Sequence, residues 1–247
     1  MQLNDGDIKT ALIDADIMLY RAAWKHEGED VEGAYETIDA MFEHIFYVTK
    51  CVNYVGFLTG KLNFRKEIAK TKPYKGNRKD MALPEHFDKV REYLIDSWNC
   101  EVVDGMEADD ALGICQNEME DTIICSIDKD LLQIEGYHYN WNKNETSFVS
   151  EYDAWHKLYL QTLSGDSTDN IAGIPRVGEK KADKILEECF SSHEASIATM
   201  NAYGEYYKDD NHLTMFQENH DLVKICTSSN DSRLKVKFQK PNVNYVF

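Results

Sequence analysis

Short apolar runs alternate with amphipathic stretches along most of the chain, a pattern that predicts a βαβα succession. Thr10–Ile13 reads as a short buried strand, followed by a helix to about Trp24 and a second over Gly33–Lys50. Val52–Leu58 is the next strand-like run. Lys61–Leu83 is poor in apolar residues and ends at Pro84, which predicts a long loop or partly helical lid. Pro84 suits the first position of a helix over Glu85–Trp98. Cys100–Val103 and Thr122–Ile127 read as strands, with helices over Glu107–Glu120 and through Ile134. Tyr137–Trp141 and Thr146–Val149 read as a last strand and its hairpin partner. From Glu151 onward the periodicity is helical, apart from a Lys-alternating, strand-like tail at Arg233–Phe238.

Strands separated by helices imply a mainly parallel sheet flanked by helices, an α/β architecture followed by a helical subdomain. The expected division is 1–160, carrying the lid at 61–83, and 161–247. At 247 residues and 43% hydrophobic content the chain is long enough for one sizeable core. No apolar run reaches the ~20 residues of a membrane span, and Met1–Asp7 has no secretory pattern. The scattered cysteines lack metal-ligand spacing and read as reduced thiols of a cytoplasmic protein.

The net charge of −17 opposes indiscriminate nucleic-acid binding. Its distribution does not. Between Lys61 and Lys79 stand eight Lys or Arg against one acid, Glu67. Acids gather elsewhere, including Asp209-Asp210, a candidate docking feature for a replication protein.

In an open parallel sheet, ligands bind beyond the carboxyl ends of the strands. Asp14 and Asp16 follow the first predicted strand. Glu107, Asp109 and Asp110 follow the third, and Asp128 and Asp130 the fourth. Asp166 and Asp169 come from the helical region. Each Asp alone could be a helix cap, but capping does not explain pairs recurring at one sheet edge. Carboxylates so gathered repel one another, and two or three hard cations such as Mg²⁺ or Mn²⁺ would relieve the repulsion. Directly after Asp169, Gly173-Ile-Pro-Arg-Val-Gly178 opens a basic helix with Lys180 and Lys181, a turn suited to a nucleic-acid phosphate.

Residues 165–186 closely resemble the helix–three-turn–helix of the structure-specific 5′ nucleases, which include flap endonucleases, phage 5′→3′ exonucleases and the 5′ nuclease domain of bacterial DNA polymerase I. Leu12-Ile-Asp-Ala-Asp, Met106-Glu-Ala-Asp-Asp-Ala and Ser126-Ile-Asp-Lys-Asp-Leu resemble that family's acidic motifs, in family order. The resemblance implies a PIN-like (resolvase-like) fold and assigns Asp14, Glu107, Asp109, Asp110, Asp128, Asp130, Asp166 and Asp169 to metal. Tyr74-Lys-Gly-Asn-Arg78 resembles the basic motif at the base of the helical arch, which puts Lys75 and Arg78 on the scissile phosphate. Tyr74 would stack on a base or pack the lid, with Lys72 beside it on the DNA. Gly173, Ile174, Arg176, Gly178, Lys180 and Lys181 would hold duplex DNA by its backbone, without reading bases, with a K⁺ sometimes assisting. The sequence departs from the family at Phe57-Leu58-Thr59-Gly60, where an acid is usual. Asp16 is the candidate replacement.

The expected function is a monomeric, phage-type 5′→3′ exonuclease or 5′-flap endonuclease working by two-metal hydrolysis. One ion, on Asp14, Glu107, Asp109 and Asp110, would activate water, and the other, on Asp128, Asp130, Asp166 and Asp169, would stabilise the leaving oxygen. The alternatives are a PIN-type ribonuclease and a noncatalytic DNA-junction-binding accessory protein.

Overall fold

The computed structural model of the chain describes residues 8–79, 81–208 and 211–246. Asp209 and Asp210, the acidic pair noted above, lie outside them. Five strands run parallel: β1 (Thr10–Asp14), β2 (Asn53–Asn63), β3 (Glu101–Gly105), β4 (Thr122–Cys125) and β5 (Gly136–Asn140). Two are antiparallel, β6 (Glu145–Val149) on β5 and β7 (Asn244–Tyr245) on β2. The order across the sheet is β3-β2-β1-β4-β5-β6. Helices α1 (Ala15–Lys25), α2 (Glu32–Thr49), α3 (Phe64–Ile68), α4 (Phe87–Asp96) and α5 (Ala108–Glu118) connect the strands. Then α6 (Glu151–Ser164), α7 (Glu179–Leu186), α8 (Ser192–Tyr207) and α9 (His212–Val223) pack as a helical layer. This is the mainly parallel, helix-flanked architecture that the sequence pattern implies.

The period-2 alternation of each strand decides which face it feeds. Ala11, Ile13, Tyr54, Leu58, Ile123 and Cys125 point to one face and pack on Met18 and Leu19 of α1, Ile38 and Phe42 of α2, and Val90 and Leu94 of α4. Leu12, Val55, Phe57 and Ile124 point to the other, onto Ala111, Leu112 and Cys115 of α5 and onto Ile225 and Cys226 beyond α9. A third core, with Trp155, Leu163, Ile174, Leu186 and Tyr203, holds the helical layer together. α6 carries the chain unbroken from β6 into that layer, through residue 160, where the sequence places a boundary.

Several elements differ from the sequence reading. β2 continues past Leu58 to Asn63, bending through a bulge where Leu62 has φ +64°. α4 starts three residues after Pro84, whose carbonyl accepts from Phe87 N–H at 3.1 Å. Arg233–Phe238 forms no strand. The Arg233 guanidinium turns inward to Asp231 and to the carbonyls of Asp221 and Lys224, which fixes this stretch as irregular chain. The strand of the C-terminal region is β7 instead.

The turn after α6 depends on glycine. Gly165 and Gly173 have φ +74° and +59°, and their backbones touch: a Cβ on Gly173 would meet Gly165 N at 2.3 Å. Gly173→Ala should therefore destabilise the fold by about 2–4 kcal/mol, combining a left-handed backbone with overpacking. Urea denaturation of both proteins measures this directly.

Candidate active site

Parallel pairing brings the carboxyl ends of β1, β2, β3 and β4 to one edge, and the acids collect there. Asp14 ends β1 and caps α1, its Oδ1 accepting from Ile17 N–H at 3.2 Å and its Oδ2 from Ser126 Oγ at 2.7 Å. Asp16 lies one half-turn on, and both its oxygens accept from Thr59 N–H at 3.1 and 3.2 Å. Glu107 and Asp109 open α5. Asp128 follows β4 and accepts from Asp130 N–H at 2.8 Å. Asp130 in turn accepts from Gln161 Nε2 at 2.7 Å, with Lys157 Nζ at 3.6 Å. Asp166 and Asp169 stand on the turn between α6 and α7, Asp166 bracing it by accepting from Thr168 N–H at 2.7 Å.

Two adjoining cavities divide these groups. Asp14, Asp16, Glu107, Asp109 and Asp128 line an open one of about 1120 Å³. Asp130, Asp166 and Asp169 line a small one and share Glu107 and Asp109 with the first. The division expected from sequence, with Asp128 alongside Asp130, is thus redrawn. Asp128 lines the Asp14 cavity, and its charge reaches Asp14, Asp109 and Asp130 alike.

The electrostatics follow from crowding. Burial, with Asp16 and Asp128 nearby, pushes Asp14 up to about 7 despite the Ser126 hydrogen bond. Burial raises Asp109 strongly, aided by Asp14 and Asp128. Asp130 rises to about 6 through burial and Asp128, with Lys157 opposing. Asp16 and Asp169 are raised too, chiefly by burial.

A basic lid answers this charge. Its base, residues 73–78, is fastened to the 167–170 turn. Lys75 N–H donates to Asp169 O at 2.9 Å, Asn77 Nδ2 to Ser167 O at 3.0 Å, and Asn170 Nδ2 to Pro73 O at 2.9 Å. Lys75 Nζ bonds Glu107 Oε1 at 2.5 Å and lies 3.7 Å from Asp169, while Arg78 bonds Asp169 at 2.8 Å. Burial favours neutral Lys75, but the surrounding acids, Glu107 foremost and then Asp169, together outweigh it and raise the ammonium's pKa. Tyr74 is buried, and its hydroxyl lies 2.8 Å from Glu107 and 2.7 Å from Asp169. It packs the lid onto the acids rather than presenting a face for a base. Among the described residues, no three acids, histidines or cysteines are already gathered closely enough to hold an ion. The lid's Lys, Arg and Tyr engage the acids instead. The donor set is nonetheless all oxygen and carries uncompensated buried charge, the chemistry that a hard divalent cation fits.

Three sequence assignments are corrected. Asp110 does not face either cavity. It is fully buried and accepts from both terminal guanidinium nitrogens of buried Arg65, at 2.6 and 2.9 Å, and from the N–H groups of Glu107 and Cys226. Burial alone would raise its pKa, but Arg65 outweighs that and lowers it. Asp110 is therefore an anchor, and Arg65, counted in the basic island, is its partner rather than a DNA-facing charge. Ile174 is a core residue whose N–H donates to Leu163 O at 2.8 Å, and Gly173 N–H donates to Asn219 at 3.0 Å. Neither amide is left for a phosphate. Arg176, Gly178, Lys180 and Lys181 are exposed at the start of α7, and Lys72 is exposed on the lid.

Sequence reasoning passed over Thr59, which stands where an acid was missed. Its N–H binds Asp16, its hydroxyl accepts from Ala108 N–H at 2.9 Å, and its carbonyl accepts from Arg91 at 2.9 Å. One residue thus ties β2 to α1, α4 and α5 around the acids. Ser126, Gln161 and Glu218 were missed likewise. Glu218 on α9 receives the N–H groups of Lys70 and Thr71 at 2.7 Å, mooring the lid's root. A lone polar residue in a helix gives no signal of such a role.

Two outcomes test this arrangement. Arg65→Met leaves Asp110 buried and unpaired and should cost about 3–5 kcal/mol in urea unfolding. Asp109→Asn should do the reverse in EDTA. An acid whose folded pKa is raised loses stability as pH climbs above its unfolded value near 4. The variant should therefore melt about 2–4 °C above the parent at pH 8, a gain that disappears toward pH 4.

The sequence model of the family "5′-3′ exonuclease, N-terminal resolvase-like domain" matches residues 9–158. The 5′-3′ exonuclease of Mycoplasmopsis pulmonis is 27% identical, aligned over 84% of this chain and 78% of that protein. DNA polymerase I of Caldicellulosiruptor bescii is also 27% identical over 76% of this chain, which spans only 25% of the polymerase. Among solved structures, the bacteriophage T5 flap endonuclease in complex with DNA and metal ions superposes with a TM-score of 0.66 at 16% identity, covering 88% of this chain and 89% of that one. The catalytic core of Rad2 with DNA superposes at 0.54 and 17% identity, over 90% and 75%. At such identity these structures speak for the fold. The family match covers more than half of the chain, including all five parallel strands and the lid, and places this protein in the 5′-3′ exonuclease family.

Proposed function

We propose that the protein is a divalent-metal-dependent 5′→3′ exodeoxyribonuclease and 5′-flap endonuclease of the compact phage type. The observation that carries the reading is the pair of adjoining acidic cavities beneath a basic lid. Asp14, Asp16, Glu107, Asp109 and Asp128 would hold one cation, Mg²⁺ or Mn²⁺. Asp130, Asp166 and Asp169, with the shared Glu107 and Asp109, would hold the other. When bound, such ions supply water activation and neutralise charge on the leaving oxygen.

The chain's own residues do the rest. Lys75 and Arg78 stand at the boundary of the two cavities and would balance negative charge on the phosphate. Their attachment to Glu107 and Asp169 fixes them beside the reacting centre. Arg176, Gly178, Lys180 and Lys181, with Lys72, would grip the duplex backbone without reading bases, and a K⁺ at that turn belongs to the same proposal. Asp16 substitutes for the acid absent at Thr59: the Thr59 N–H draws its carboxylate to that point of β2.

The test is incubation with a 5′-labelled duplex and a 5′-flap substrate in Mg²⁺, Mn²⁺ and EDTA. Metal-dependent release of short 5′ products, reduced at least ~10³-fold by Asp128→Asn, is expected. Binding without cleavage in either metal would favour a noncatalytic junction-binding protein instead. Asp16→Ala should weaken Mn²⁺ binding by about 10-fold or more in calorimetry. Unchanged affinity and activity would remove Asp16 from the site.

A further inference from the structure

The groove over the acids does not stop at the acids. Its far wall is α1, where Tyr20 and Trp24 form one i, i+4 pair and Arg21 and Lys25 another. All four line the open cavity. Tyr20 is 42% and Trp24 49% exposed; the Tyr20 ring leans on Phe87 of α4, centroids 5.2 Å apart, and both aromatics border the acidic cavity. Arg21, Lys25 and Asn142 also line a second cavity of about 580 Å³, walled by α1, α2 and the β5–β6 turn. The two spaces adjoin along α1, with these residues standing between them. Among the described residues, Glu36 is the one carboxylate on the second cavity's lining, against Arg21, Lys25, His26 and His44.

In a chain of net charge −17, the partners of these cations matter. Arg21 donates to the side-chain amide oxygen Oδ1 of Asn142, and Lys25 Nζ donates to Thr37 Oγ1 at 3.1 Å. Both partners are neutral, and among the described residues neither cation forms an ion pair within 4.0 Å. Charge held by neutral partners beside exposed rings is the pairing that recognises single-stranded nucleic acid, phosphates on the cations and unstacked bases on the rings. A duplex would not offer its bases to Trp24.

We propose that α1 and the cavity beyond it form a subsite for the single-stranded 5′ segment, Arg21 and Lys25 taking its phosphates and Trp24 a base. The proposal deepens the nuclease reading and rests on it for the strand's identity. It gives the protein a means of holding a 5′ tail on α1, separately from the duplex grip at α7.

The test measures affinity in Ca²⁺ for duplexes bearing 5′ oligothymidylate tails of zero to six nucleotides. The readout is the ratio of Kd without a tail to Kd with one, taken within each variant so that folding or duplex-binding effects cancel. The parent ratio should rise to roughly tenfold or more with the first few nucleotides. Trp24→Ala and the double variant R21A/K25A should each reduce it to about threefold or less. The double variant should also lower the salt slope for the tailed substrate by about one to two. A parent ratio near one, or equal ratios in parent and variants, overturns the subsite. A normal tail ratio without cleavage in Mg²⁺ would overturn the nuclease reading and leave the subsite standing.

Discussion

Mutual repulsion among buried carboxylates organises this molecule. Asp14, Asp16, Asp109 and Asp130 are each pushed toward the neutral form by burial, with their acidic neighbours adding to it. The parallel sheet makes the crowding unavoidable, because its strands end on one edge. The remaining architecture supplies charge and hydrogen bonds to that edge. Lys75 and Arg78 come from the lid, Gln161 and Lys157 from α6, Ser126 from the end of β4 and the Thr59 amide from β2. Even the fastening of the lid to the 167–170 turn follows, since Lys75 and Arg78 of the lid are drawn to Asp169 on that turn.

Much of this was legible in the chain. The apolar triplet Ala11-Leu12-Ile13 running into Asp14 fixed the first strand and its acid together, because period-2 burial on both faces needs such a run. The order of acidic motifs placed Glu107, Asp109, Asp128 and Asp130 at the sheet edge. Neighbouring Asp109 and Asp110 were harder. Consecutive helical residues point about 100° apart, so one of the two had to face away from the cavity. Only the tertiary partner decides which, and Arg65 lies 45 positions upstream. The same limit hid Ile174: a turn sequence that suits a phosphate also suits a backbone closing on itself, and its amide went to Leu163.

β7 illustrates a different limit. Two residues carry no period, so Asn244–Tyr245 could not be told from loop. Arg233–Phe238 carried the period without the burial to use it, because its Arg was drawn to Asp231 and two carbonyls. Alternation predicts a strand only where a sheet edge is available to receive it.

The double duty of Asp14 has a consequence for how the site is dissected. Its Oδ1 caps the start of the first helix and its Oδ2 holds Ser126 at the end of the neighbouring strand. Removing that carboxylate unties two elements as well as emptying one wall of the cavity, so an inactive Asp14→Ala protein would report misassembly and lost chemistry in a single number. Asp128, whose bond reaches only two residues ahead, separates the two. The acids of one cavity thus differ in what their loss means, and the informative knockout is the one whose structural duties are local.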